Sequence, residues 1–133
     1  MSSLRLVRSF VDLNAWQRAR ELHRAICVAT KEERFRRNRR LVDQIQASAT
    51  SVMANIAEGF ERGSRAQFHH SLAIAKGEAG ETLSHLYAAL DDGAIDQRVF
   101  DELQTLALRT ARIIGALKKA VKPMPRHRAP SPS

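Results

Sequence analysis

Apolar residues recur along this chain at steps of three and four, the spacing that puts side chains on one face of an α-helix. Leu13, Trp16, Ala19, Leu22 and Ile26 form the first stripe, preceded by Asp12, a residue type that caps helix N-termini. A helix is predicted from about 12 to 29. Leu41, Ile45, Ala49, Val52, Ile56 and Phe60 predict a second, from about 39 to 60. Ser64 followed by Gln67 has the spacing of a capping box, and Gly63 before it suits a turn. Phe68, Leu72, Ala75, Ala79, Leu83, Leu86 and Leu90 then form a seam close to heptad spacing, predicting a third helix from 64 to 91. Asp91, Asp92 and Gly93 end it, with two acids set unfavourably against the helix dipole. Asp96 can cap a fourth helix reaching 121, with a stripe of Val99, Leu103, Leu106, Thr110, Ile113, Leu117 and Val121. Pro123 and Pro125 stop it.

Four amphipathic helices, joined by short turns apart from a loop over 30–38, predict an all-α fold. The expected architecture is an antiparallel up-down-up-down four-helix bundle over 1–121. Residues 122–133 are polar, basic and Pro-rich, and are expected to be a disordered tail. At 133 residues the chain is one domain. The third helix also carries Ala66, Ala73, Ala75, Gly77, Ala79 and Gly80 on more than one face. A Gly in a helix interior costs about 1 kcal/mol relative to Ala. Two within four positions therefore point to the close approach of another helix, in this chain or in a neighbouring subunit.

Charge changes the picture through its placement. The formal net charge is +8. Residues 31–40 hold six basic and two acidic side chains, and residues 118–133 hold five basic and none acidic. The rest of the chain holds eleven basic and twelve acidic residues, so the basicity is confined to one loop and one tail. Clustered charge sums its field, which favours a polyanion as partner. The candidate phosphate contacts are Arg34, Arg36, Arg37, Arg39, Arg40, Lys118, Lys119 and Lys122. Phe35 among the arginines has two readings, stacking on an unpaired base or anchoring the loop to the bundle. The plainer account of both segments is a solvated loop and tail.

The patterns that carry chemistry are incomplete. A di-iron bundle needs Glu-x-x-His on two helices, and no Glu here has a His three residues on. Glu81 and His85 share a helical face but make only one pair, while the adjacent His69 and His70 diverge. Cys27, the single cysteine, reads as a small semi-buried side chain, and no phosphate-binding Gly loop is present. The chain is read as non-enzymatic, with no metal and no cofactor. With no possible intramolecular disulfide, no signal-peptide pattern at the N-terminus and no membrane-length apolar run, a cytoplasmic location is expected.

A polar set remains: Gln44, Asn55, Glu58, Arg62, Glu78 and Glu81. Asn55, Glu58 and Arg62 line one helical face, and Glu58 with Arg62 has the order that favours an i,i+4 ion pair. Two readings stay open. The set is a structural network that fixes helix register, or it lines a ligand pocket near the turn between the second and third helices.

These residues resemble a known family. Phe10 to Leu13, Ala15, Trp16, Ala19 and Leu22 are followed by Gln44 and Ile45 and then by the run from Ser51 to Phe60. Asn55, Ile56, Ala57, Glu58 and Gly59 are the most specific part, joined by Arg62, Ser64, Phe68, Leu72 to Gly77 and Glu81. Over roughly residues 10 to 120 the chain resembles the proteins encoded by intervening sequences in 23S rRNA genes. The resemblance implies a four-helix bundle assembled into a homopentameric ring. It also implies kinship with accessory proteins of diversity-generating retroelements, basic bundles thought to contact nucleic acid and a reverse transcriptase. Met53 stands where the family commonly has Pro, which predicts a straighter second helix. The expected function is an oligomeric, non-enzymatic nucleic-acid-binding accessory factor with RNA or DNA as partner. A protein-interaction scaffold is the alternative.

Overall fold

The computed structural model describes residues 7–123, which contain five α-helices, one 3-10 turn and no strand. The turn, Phe10–Asp12, leads into α1 (Asn14–Thr30), and α2 (Glu33–Arg36) follows. The long elements α3 (Arg39–Glu61), α4 (Arg65–Asp91) and α5 (Gln97–Ala120) complete the chain. The expected tail lies outside the described residues except for Lys122 and Pro123.

The cap residues explain most of the boundaries. Ser64 and Asp96 each accept a backbone N–H, from Gln67 at 3.0 Å and Val99 at 2.9 Å. Only half of the expected capping box forms, because the Gln67 side chain accepts the Ser64 hydroxyl rather than reaching back to its backbone. Asp12 does not cap α1; Leu13 holds that position without a side-chain bond. The Asp12 carboxylate turns backward and accepts the N–H groups of Arg8 and Ser9, at 3.0 and 3.3 Å, since the 3-10 turn intervenes. At the end of α4, Gly93 has φ +74°. The Gly93 N–H reaches Leu90 O and the Ala94 N–H reaches Ala89 O, which makes a Schellman cap.

Two apolar layers fill the bundle. One joins Leu22 and Ile26 of α1, Leu41 and Ile45 of α3, Leu86 and Ala89 of α4, and Phe100 and Leu103 of α5. The other joins Leu13 and Ala19 with Val52 and Ile56, Leu72 and Ala75, and Ile114. Each layer takes alternate ends of successive long helices, so α1, α3, α4 and α5 run up-down-up-down, and α1 closes the ring against α5. This is the expected architecture. The stripe of α5 is turned slightly from expectation: Phe100, Ala107 and Ile114 are buried, while Val99, Leu106 and Ile113 are half-buried. Its apolar residues cover a wide arc, and the packed line runs through the arc's other edge.

A polar belt separates the layers. The buried Thr82 hydroxyl lies 2.9 Å from Ser48 Oγ, linking α4 to α3. Thr110 Oγ1 lies 3.3 Å from the Arg18 carbonyl, linking α5 to α1. Beside it Glu21 accepts from Arg18 at 2.8 Å and from Arg109. The closest helix approach falls at Gly59, where an added Cβ would stand 2.4 Å from Ser71 Cβ. Gly77 and Gly80, by contrast, face open space in the single chain.

Candidate nucleic-acid interface

The basic segment 31–40 is built on a buried ring. Sequence periodicity assigns 30–38 to a loop, but Phe35 is fully buried among Ala29, Leu41, Ala94 and Ile95 and draws the segment into α2. Its anchoring reading holds and its stacking reading does not, because a buried ring cannot take up a base. Arg34 is tied by the same fold: its Nε and Nη2 donate to Gly93 O at 3.0 and 2.6 Å. Asn38 caps α3 through Leu41 N–H and donates to Asp92 at 3.0 Å. Of the two acids at the end of α4, Asp92 thus gains a hydrogen bond from the basic segment.

The remaining cations differ in how far they are engaged. Arg37 pairs with Glu33 at 3.1 Å and Arg39 with Asp43 at 3.7 Å, all four side chains well exposed. Such surface pairs contribute at most about 1 kcal/mol and yield readily to a stronger anion. Lys31, Arg36 and Arg40 are exposed and have no ion-pair partner among the described residues. Arg34, Arg37 and Arg39 line a recess of about 480 Å³ with Asn38 and Asp92.

Lys118, Lys119 and Lys122 lie at the other end of the bundle. A 24-residue α5 separates the two groups, about 36 Å at 1.5 Å per residue. The eight candidate phosphate contacts therefore form two patches. Lys118 is half-buried, while Lys119 and Lys122 are exposed. Sequence reasoning missed a bridging element. Arg20 and Arg24 are exposed on α1 with no carboxylate partner among the described residues, Arg20 lying over the Trp16 ring at 5.7 Å, and helical spacing puts them on the same face as Lys31. Asp12 and Glu21 reduce the local sum of charge without cancelling it, and the i,i+4 spacing of Arg20 and Arg24 was the available signal.

The polar set does not form one network. Glu58 and Arg62 pair on α3 at 2.6 Å as their order predicts. Asn55 Nδ2 donates to Ser51 O of its own helix at 2.9 Å. Glu81 faces His85 at 3.4 Å, and Gln44 is exposed. Burial pushes the Glu78 carboxyl up, and the neighbouring Glu81 adds to this through a shared hydrogen bond and like charge. The polar links between helices are made instead by Ser48 with Thr82 and by Thr110 with the Arg18 carbonyl. A shallow groove of about 440 Å³ does open where the pocket reading put one. Asn55, Glu58, Arg62, Gln67 and His70 line it, but Gln44 and Glu81 do not. Cys27 is half-buried, 3.5 Å from His23 Nε2. Among the described residues no three His, Cys, Asp or Glu side chains converge, and no helix is long and apolar enough to cross a membrane.

A four-helix bundle with a polar belt and an arginine-rich helical turn at one end defines a compact class of helical protein. The chain belongs to the 23S rRNA-intervening sequence protein family, whose model matches residues 11–116. Among solved structures it is similar to a protein of unknown function from the S23 ribosomal protein family of Bacteroides thetaiotaomicron. The TM-score is 0.71 at 24% identity, over 79% of this chain and 98% of that one, a likeness of fold. No curated protein matches the chain.

Proposed function

We propose that this protein is a non-enzymatic accessory factor that binds the phosphate backbone of RNA or DNA and does so as an assembly of identical chains. One observation carries the reading. Arg20, Arg24, Lys31, Arg36 and Arg40 stand exposed without a carboxylate partner among the described residues, along α1 and around the capped end. Arg37 and Arg39 add two weakly held cations beside them. Exposed Arg and Lys side chains are the groups that contact phosphate, so the reading is of binding to the backbone without sequence readout. Arg34 serves as a strut.

The outer face of α4 supports self-association. Gly77 and Gly80 have nothing within 4 Å of an added Cβ, and Ala73, Ile74, Tyr87 and Ala88 are exposed beside them. Glycines that pack against nothing within one chain are explained by a helix from another. The family resemblance implies five copies in a closed ring, which would repeat the basic stripe and add weak phosphate contacts through multivalency. Filter binding of nuclease-treated protein to a single-stranded RNA and a duplex DNA tests the first part. Retention is expected at roughly 50 mM salt and loss on raising salt several-fold. No retention of either at the low salt would overturn the reading. Light scattering on the eluting peak tests the second part, with a mass several times the 14.9 kDa of one chain expected. Monomeric protein would contradict it.

A further inference from the structure

Trp16, the single tryptophan of the chain, stands one helical turn before Arg20 and about two before Arg24, at the start of the basic face of α1. Its indole is half-buried. Phe10 packs edge-on against it, with ring centroids 5.2 Å apart at 64°, and the second apolar layer lies behind. The face of the ring carries a guanidinium: Arg20 Cζ lies over it, 5.7 Å from the centroid. Among the described residues this is the one guanidinium placed over an aromatic ring. A recess of about 360 Å³ opens beside the indole, walled by Val11, Gln17, Arg18, Glu21, Arg20 and Arg24. The Gln17 amide holds one wall by donating to the Val11 carbonyl at 2.9 Å.

Three arginines meet one acid in this recess. Glu21 is already held by Arg18 at 2.8 Å and by Arg109 of α5. The other acid of this stretch, Asp12, turns its carboxylate to the Arg8 and Ser9 N–H groups. Arg20 and Arg24 have no carboxylate partner among the described residues, so the recess is net positive. Its charge selects an anion, and the ring beside it selects one that carries a flat π-system. Free phosphate would use the arginines and leave the indole idle. A duplex keeps its bases inside the stack, out of reach of a side chain on a helix surface. We infer that Trp16 and Arg20 receive one unpaired base of a single strand, stacked on the indole, with Arg24 on a neighbouring phosphate. Arg20 is exposed and free of ion pairs, so its guanidinium can swing off the ring as the base arrives. The recess thereby adds a preference for single strands to the backbone binding proposed above, on which it depends. Stacking tolerates any sequence, because every base has a π-face.

Because the chain has one tryptophan, its fluorescence reports this recess directly. Full-length, nuclease-treated protein is titrated at low salt with oligodeoxyadenylate, with the same strand annealed to oligothymidylate, and with inorganic polyphosphate. Filter retention reads binding and indole emission reads stacking. All three polyanions should be retained, and only the single strand should quench the emission. Trp16→Leu should weaken single-strand binding about tenfold, the loss of one stacked base. It should leave retention of the duplex and of polyphosphate unchanged. Trp16→Phe keeps a ring packed against Phe10 and should fall between the two, which preserves the test should the first variant not fold. Retention without quenching, equal quenching by the duplex or by polyphosphate, or unchanged single-strand affinity in every folded variant overturns the inference and leaves backbone binding standing. Retention of none of the three overturns both.

Discussion

Phe35 sits among six cations in ten residues, yet its ring is buried at 0% exposure between α1, the start of α3 and the α4–α5 turn. Everything basic at that end hangs from it, including the Arg34 bond to Gly93. Phe35→Ala is expected to cost about 3–5 kcal/mol, the usual range for removing a buried ring. Urea unfolding measures this, and a loss under about 1 kcal/mol would show that the ring is not an anchor. Glu78 gives a second expectation. Its carboxyl holds its proton more tightly in the folded chain, because burial and Glu81 both disfavour the charge. The folded state thus binds more protons than the unfolded state just above the ordinary glutamate pKa, and stability falls as pH rises through that window. Glu78→Gln removes the penalty. As pH rises above the ordinary glutamate pKa of about 4.3, the wild-type urea midpoint should fall relative to the variant. Parallel midpoints would contradict this account of the residue.

At the scale of elements, the three longest helices were legible because their stripes persist for six or seven positions. Their ends were legible where Ser64, Asp96 and Gly93 carry cap chemistry. The four-residue α2 was not, because it is hardly longer than one helical period and leaves no repeat to detect. The belt escaped for a related reason: Thr110 was read only as part of its stripe, and neither its bond to Arg18 O nor the Ser48–Thr82 contact leaves a spacing signal, because the partner lies on another helix. For the site, the arginines of 31–40 were found, but only the fold shows that Arg34 is a strut and that Arg20 and Arg24 continue the basic face. The glycines divide in the same way. Gly59→Ala would push α3 off Ser71 and should cost about 1–3 kcal/mol despite the gain in helix propensity. Gly77→Ala and Gly80→Ala meet open space and should each stabilise a dissociated chain by up to about 1 kcal/mol. Thermal melts of the three variants at low concentration check this ordering, and a neutral Gly59→Ala would refute the close approach.

The whole molecule is a four-helix bundle of net charge +8, with exposed cations along α1 and at both ends. Self-association fits the unpacked face of α4. Gly80→Leu should leave the chain folded, since nothing lies within 4 Å of a Cβ there, while lowering the mass seen by light scattering. An unchanged mass would remove α4 from the subunit interface.

Backbone binding by unpaired cations is the central claim, and the salt dependence of affinity reports it most directly. Each phosphate neutralised adds about 0.7 to the slope of log affinity against log salt for single strands and about 0.9 for duplex DNA. Wild-type protein should therefore show a steep slope. Replacing Arg20, Arg24, Arg36 and Arg40 by Ala should flatten it by roughly one such increment for each phosphate no longer neutralised. Equal slopes for the two proteins, or an affinity indifferent to salt, would contradict the account.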